Sequence, residues 1–135
     1  MKKYSTIALV YAILAMVGGV FYREFTKILA FEGVTTLSVV HTHYFVLGMF
    51  MFLALLLLEK NFAFSTGKTG KVLIAYHVGL NLTCLMLVLR GVMQVLGTAM
   101  SAGMDAAISG MAGIGHIIMG VSLVMILVQL RKAIK

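Results

Sequence analysis

Polar side chains fall in three short clusters along the interior of this chain, and the runs between them are almost wholly apolar. Four such runs lie at about 5–22, 36–58, 71–96 and 106–130, each near the ~20 residues that a helix needs to cross a hydrocarbon core. The breaks at 23–35, 59–70 and 97–105 are short, so consecutive helices fold back as antiparallel neighbours. The pattern predicts an all-α integral membrane fold: one domain over residues 1–135, with four transmembrane helices in an up-down-up-down bundle.

Within the first run, Tyr4, Tyr11, Ala15, Gly18 and Tyr22 recur at helical spacing and form a face of small and amphipathic residues that should pack inward. The opening "MKKYSTIALVYAILAMVGG" has the charged start and apolar core of a signal peptide, and it is read here as an uncleaved first helix. After it, "YREFTKILAFEGVTT" is mixed enough to predict a short interfacial helix or lid outside the membrane.

Composition agrees with the pattern. Hydrophobic residues make up 61% of the 135 positions and charged residues 11%, against roughly a quarter in soluble domains. A net charge of +7 would suit nucleic acid, but its distribution excludes that class. Lys2, Lys3, Lys60, Lys68, Lys71, Arg131, Lys132 and Lys135 all fall on one side of a four-span topology. Arg23 and Lys27 fall on the other, with Glu24, Glu32 and Asp105. The positive-inside rule puts both termini and the 59–70 loop of a multi-pass protein in the cytoplasm. The basic end would also meet anionic lipid. "GKT" at 67–69 resembles a phosphate loop, but Phe62 stands where the motif requires glycine, so it is a basic turn. Cys84 is the only cysteine, which excludes an intrachain disulfide.

Candidate chemistry lies in a few polar residues inside the runs. His41 and His43, one residue apart in "LSVVHTHYFVLGMFMF", point about 160° apart on a helix and cannot share one ion. In "SGMAGIGHIIMG", Ser109, Ala112, Gly113, His116 and Gly120 form one stripe, a smooth wall that suits a close helix or a flat porphyrin. At ~1.5 Å per residue His43 lies roughly 10 Å below the outer surface and His116 roughly 15 Å. These depths allow two ligands on opposite sides of one tilted macrocycle. His77, nearer the cytoplasmic end, shares a stripe with Asn81 and Cys84, expected as a hydrogen-bonded polar seam. Arg90 costs on the order of 3 kcal/mol within a span. It calls for an anionic partner: Glu24, Glu32, Asp105, a haem propionate or a transported anion. None of the eleven methionines stands out as a ligand.

With "FYREFTK", "LSVVHTHYFVLGMFMFLALLLLEK", "LRGVMQVLG" and "ISGMAGIGH", the chain resembles a family of small bacterial four-span proteins catalogued as domain of unknown function 2871. That resemblance implies the fold and a place in a bacterial plasma membrane, and no activity. His41, Thr42, His43 and Gly48 are also similar to the haem-ligating helices of haem-copper oxidase subunit I, whose spans form three arcs of four. This implies a haem ligand in the second span and a homo-oligomer, with a trimer completing the ring. The histidines of this chain show no pairing beside a helical tyrosine that would make a copper site.

The leading expectation is a membrane protein binding haem b, with His43 and His116 as axial ligands, Gly113 and Gly120 beside the ring and Arg90 near a propionate. It would transfer electrons or bind oxygen or nitric oxide. His41 is the alternative ligand. The other classes are a copper or zinc site built from His41, His43 or His116 with outer carboxylates, an anion channel or transporter using Arg90, and a structural or assembly protein.

Overall fold

The computed structural model describes residues 2–134, and among them every regular element is a helix. We number four: α1 Lys2–Ile28, α2 Leu37–Phe62, α3 Thr69–Val95 and α4 Ala102–Ala133. All are long and apolar enough to cross a membrane, as the four apolar runs require. Each outruns the apolar stretch that predicts it at one or both ends, because hydropathy marks the bilayer and a helix continues until something stops it. In particular, Tyr22–Ile28 are part of α1 and no separate interfacial helix forms.

Local chain chemistry sets the stops. α1 ends where Ala30 takes a left-handed φ of 48°, with Phe31 N–H on the Thr26 carbonyl (2.9 Å) and Ala30 N–H on Lys27 (3.2 Å). This is the two-bond arrangement of a Schellman cap, here with alanine in the place that glycine favours. Gly97, at φ 63°, closes α3 in the same way through Thr98 N–H on Met93 (3.0 Å). α4 starts at Ser101, whose hydroxyl accepts the Met104 N–H.

α2 is not uniform. Leu37–His43 is α-helical, Tyr44–Phe50 is a π-helical stretch, and α-helix resumes at Met51. The wider turn alters which residues face α1 and which face α3 beyond His43.

Packing follows chain order: α1 on α2, α2 on α3, α3 on α4. α3 is the most enclosed helix. It meets α4 backbone to backbone, since a Cβ on Gly115 would stand 2.6 Å from Thr83 Oγ1 and one on Gly79 would stand 2.6 Å from the Met119 nitrogen. α2 meets α1 where Tyr11 lies over Gly48. Its start is strapped to α3 by Thr35 Oγ1 donating to Gly91 O (2.9 Å) and Thr36 Oγ1 to Leu87 O (2.7 Å). Tyr4, Tyr11, Phe52, Tyr76 and Leu80 form the core. The inward face of α1 is Tyr4, Ala8, Tyr11 and Ala15, close to the expected stripe.

By contrast, α2 and α4 barely touch each other, and neither do α1 and α3 as backbones. Two gaps therefore open between helices that share a neighbour without packing together. The antiparallel order brings the basic residues Lys2, Lys60, Lys68, Lys71, Arg131 and Lys132 to one end, where Tyr4 bonds Ser65 and Thr69 bonds Gln129. Lys135 lies outside the described residues.

Candidate functional site

His43 and His116, from α2 and α4, face each other across the first gap. Their ring centres are 6.1 Å apart and their planes are inclined at 81°. Each ring is held by its own helix: His43 Nδ1 lies 2.8 Å from the Val39 carbonyl, and His116 Nδ1 lies 2.9 Å from that of Ala112. A carbonyl oxygen only accepts, so Nδ1 carries the proton in both rings and the lone pair is left on Nε2. A backbone bond of this kind fixes tautomer and ring orientation in metal-binding histidines.

His41 points elsewhere. It packs against α1, with a Cβ at Gly19 falling 3.7 Å from His41 Cβ, and its Nδ1 is buried without a partner among the described residues. The wide angle between His41 and His43 thus separates them onto different neighbours.

The glycines of α4 also divide. Gly115 and Gly79 make the close helix contact, whereas a Cβ on Gly113 or Gly120 would meet nothing within 4 Å. The glycines beside His116 on the stripe are therefore unused for packing within this chain, and His116 itself is exposed.

Arg90, from α3, meets the stripe two turns outward of His116, at Ser109. Its Nη2 donates to Asp105 Oδ1 (2.5 Å), the Asp105 carbonyl (3.1 Å) and Ser109 Oγ (2.7 Å), tying α3 to the first turns of α4. Of the anions the sequence offers, Asp105 is the one it meets. Its Nε is buried with no partner among the described residues.

The expected polar seam of His77, Asn81 and Cys84 is one strand of a larger network. Asn81 Nδ2 donates to the His77 carbonyl (2.8 Å) and to the Tyr11 hydroxyl oxygen (3.1 Å), and the Tyr44 hydroxyl donates to Asn81 Oδ1 (3.1 Å). Tyr11 lies 2.6 Å from His77 Nδ1, and Cys84 is buried beside the core aromatics. Sequence reasoning did not join Tyr11 and Tyr44 to the seam. The inward face of α1 pointed to Tyr11, but the π-helical stretch that begins at Tyr44 leaves no periodic trace. His77 is not remote from His116 in depth, because Gly79 lies against Gly115 and Met119. What separates them is that His77 turns toward α1 and α2.

A family model described as protein of unknown function (DUF2871) matches residues 1–133. The chain belongs to the DUF2871 family. No curated protein and no solved structure matches it. The DUF2871 match spans all four helices and so includes both facing histidines, Arg90 and the tyrosine network.

For chemistry, this DUF2871 chain offers two imidazoles held through Nδ1, with Nε2 unpartnered among the described residues. Among the described residues, no group of three or more His, Cys, Asp or Glu side chains converges. Two nitrogen donors suit a metal whose remaining ligands arrive with it.

Proposed function

We propose that this protein is a membrane-embedded b-type haem protein, with His43 and His116 as the axial ligands and one-electron transfer, or binding of oxygen or nitric oxide when one ligand leaves, as its activity. The observation that carries this reading is the 6.1 Å approach of two imidazoles whose Nδ1 atoms are already bonded to backbone. A metal sits about 2.0 Å from an imidazole nitrogen and the ring centre about 1.1 Å behind it, so two rings on opposite sides of one iron are separated by about 6.2 Å. The pair of protein donors favours haem over zinc, because a porphyrin brings its own four nitrogens.

The surroundings support the same reading. Gly113 and Gly120 leave the α4 wall open beside His116, and a recess of about 270 Å³ lies against Thr42, His43, Val46 and Leu47. Arg90 reaches the same face of α4 at Ser109, seven residues and so ~10 Å from His116, with its charge paired to Asp105, so a propionate there would have to share that pairing. Arg90 held by Asp105 is less suited to select a transported anion. A bound haem would supply reversible one-electron chemistry at iron; the chain's part is to present two oriented Nε2 atoms and exclude water. His41 serves as a packing residue between α1 and α2.

The test is absorption spectroscopy on protein purified in mild detergent from haem-replete cells, before and after dithionite. A Soret band with sharp reduced-state bands, and a b-type pyridine haemochrome, are expected. His43→Ala and His116→Ala should each lose or shift the Soret band, while His41→Ala retains it. A colourless wild type would overturn the proposal.

A further inference from the structure

The second gap, between α1 and α3, is a cleft of about 330 Å³ that the haem reading does not use. Its walls are mainly apolar, from Ile7, Val10 and Leu14, and Val10 and Leu14 are exposed at its rim. At its polar end lie Tyr11, His77 and Asn81. The size falls at the small end of ligand cavities, ~300–1,000 Å³.

The hydrogen bonds set what this cleft presents. Asn81 must turn its NH₂ to the His77 carbonyl, which only accepts, so the same nitrogen donates to the Tyr11 oxygen. The Tyr11 proton is then directed to His77 Nδ1, 2.6 Å away. His77 is left as the Nε2–H tautomer, and Nε2 has no partner among the described residues. The ring cannot easily turn aside, because Phe52 stacks on it at 4.8 Å and 4° and Tyr11 at 5.6 Å. The cleft thus ends in a fixed hydrogen-bond donor beside the Tyr11 ring, with an apolar opening.

A ligand for such a site is lipid-soluble and flat and carries a carbonyl acceptor. Phospholipid ester carbonyls do not reach it easily. His77 lies eight residues inside α3, ~12 Å along a helix long enough to span headgroups as well as hydrocarbon, whereas esters stay at the boundary. We propose that the α1–α3 cleft binds the headgroup of an isoprenoid quinone, with His77 Nε2–H donating to one quinone carbonyl and the tail leaving past Val10 and Leu14 into the bilayer. The site is separate from the histidine pair and requires no haem.

The experiment is calorimetric titration of the full-length protein in mild detergent with a short-chain quinone, and in parallel with decylbenzene. Saturable binding of one quinone per chain is expected. His77→Phe, which keeps a stacking ring, should weaken it about tenfold, as loss of one hydrogen bond in an apolar site does. Val10→Trp, a change at the exposed rim that spares the polar cluster, should block it. His43→Ala should leave it intact, which keeps this result independent of haem. Equal binding of quinone and decylbenzene, or wild-type quinone affinity in both cleft variants, would show a gap filled by acyl chain and overturn the proposal.

Discussion

Two hydrogen bonds, each from an imidazole to the carbonyl four residues back, convert His43 and His116 from freely turning side chains into oriented donors. Orientation of this kind is local: it needs only a helix with a free carbonyl lone pair. The close approach of the rings needs the neighbouring helices as well, and here single glycines act at the scale of one atom. Gly115→Ala would drive a methyl to within 2.6 Å of Thr83 Oγ1 and 2.9 Å of the Gly79 carbonyl. It should destabilise the protein by about 1–3 kcal/mol, the usual cost of overpacking, read as a lower thermal unfolding midpoint in detergent. Gly113→Ala, with nothing in reach, should be neutral or up to about 1 kcal/mol stabilising by helix propensity. Asp105→Asn should cost about 1 kcal/mol or less in the same measurement, because 56% of its side chain is exposed and solvent screens its pairing with Arg90. The glycines illustrate the limit of sequence at this scale. Gly113 and Gly115 are both small positions in one apolar run, and only the position of α3 makes one indispensable and the other free.

At the scale of the element, α2 carries the main surprise. Its π-helical stretch at Tyr44–Phe50 follows directly on His43, so Tyr44 can reach Asn81 while the preceding residue faces α4. Deleting Val46, an exposed residue of that stretch, should restore a regular α-helix and rotate one half of α2 against the other by about 100°. Either His43 leaves His116 or Tyr44 and Gly48 leave Asn81 and Tyr11. The expected readouts are a Soret band weakened as in His43→Ala, or an unfolding midpoint lowered by loss of the Tyr11 contact. A variant unchanged in both would show that the π turn is dispensable. Helix existence was legible from hydrophobic run length, but this turn was not. A π turn adds one residue to a face without altering its apolar character.

Across the whole molecule, the basic residues gathered at one end predict orientation. Single-cysteine labelling in intact cells, with Cys84 replaced by alanine, should leave residues 63–68 protected and make residues 30–34 and 98–101 reactive to a membrane-impermeant thiol reagent. The reverse pattern would turn the protein over and move the histidine pair to the cytoplasmic half. The open gaps at α1–α3 and α2–α4 also leave room for other molecules where a closed bundle would have none. The homo-oligomer that the sequence resemblance leads one to expect would show as a multiple of 14.6 kDa in native mass measurement.

Amphipathy, run length and charge asymmetry are properties of consecutive residues, and from them the chain by itself determined four membrane-spanning helices, their order and the basic end. The same local rules separated His41 from His43, because 200° of helical turn admits no other result. Depth along the spans favoured His43 with His116 and left His41 open, and the tertiary structure decided between them. His43 faces His116, His41 goes to Gly18 and Gly19, and His77 joins Tyr11 through a side-chain network spanning three helices. It also decided that Asp105 is the partner of Arg90. The physical reason is that helix rotation and register depend on where glycines allow backbones to touch, and that is a property of pairs of helices, which no single run contains.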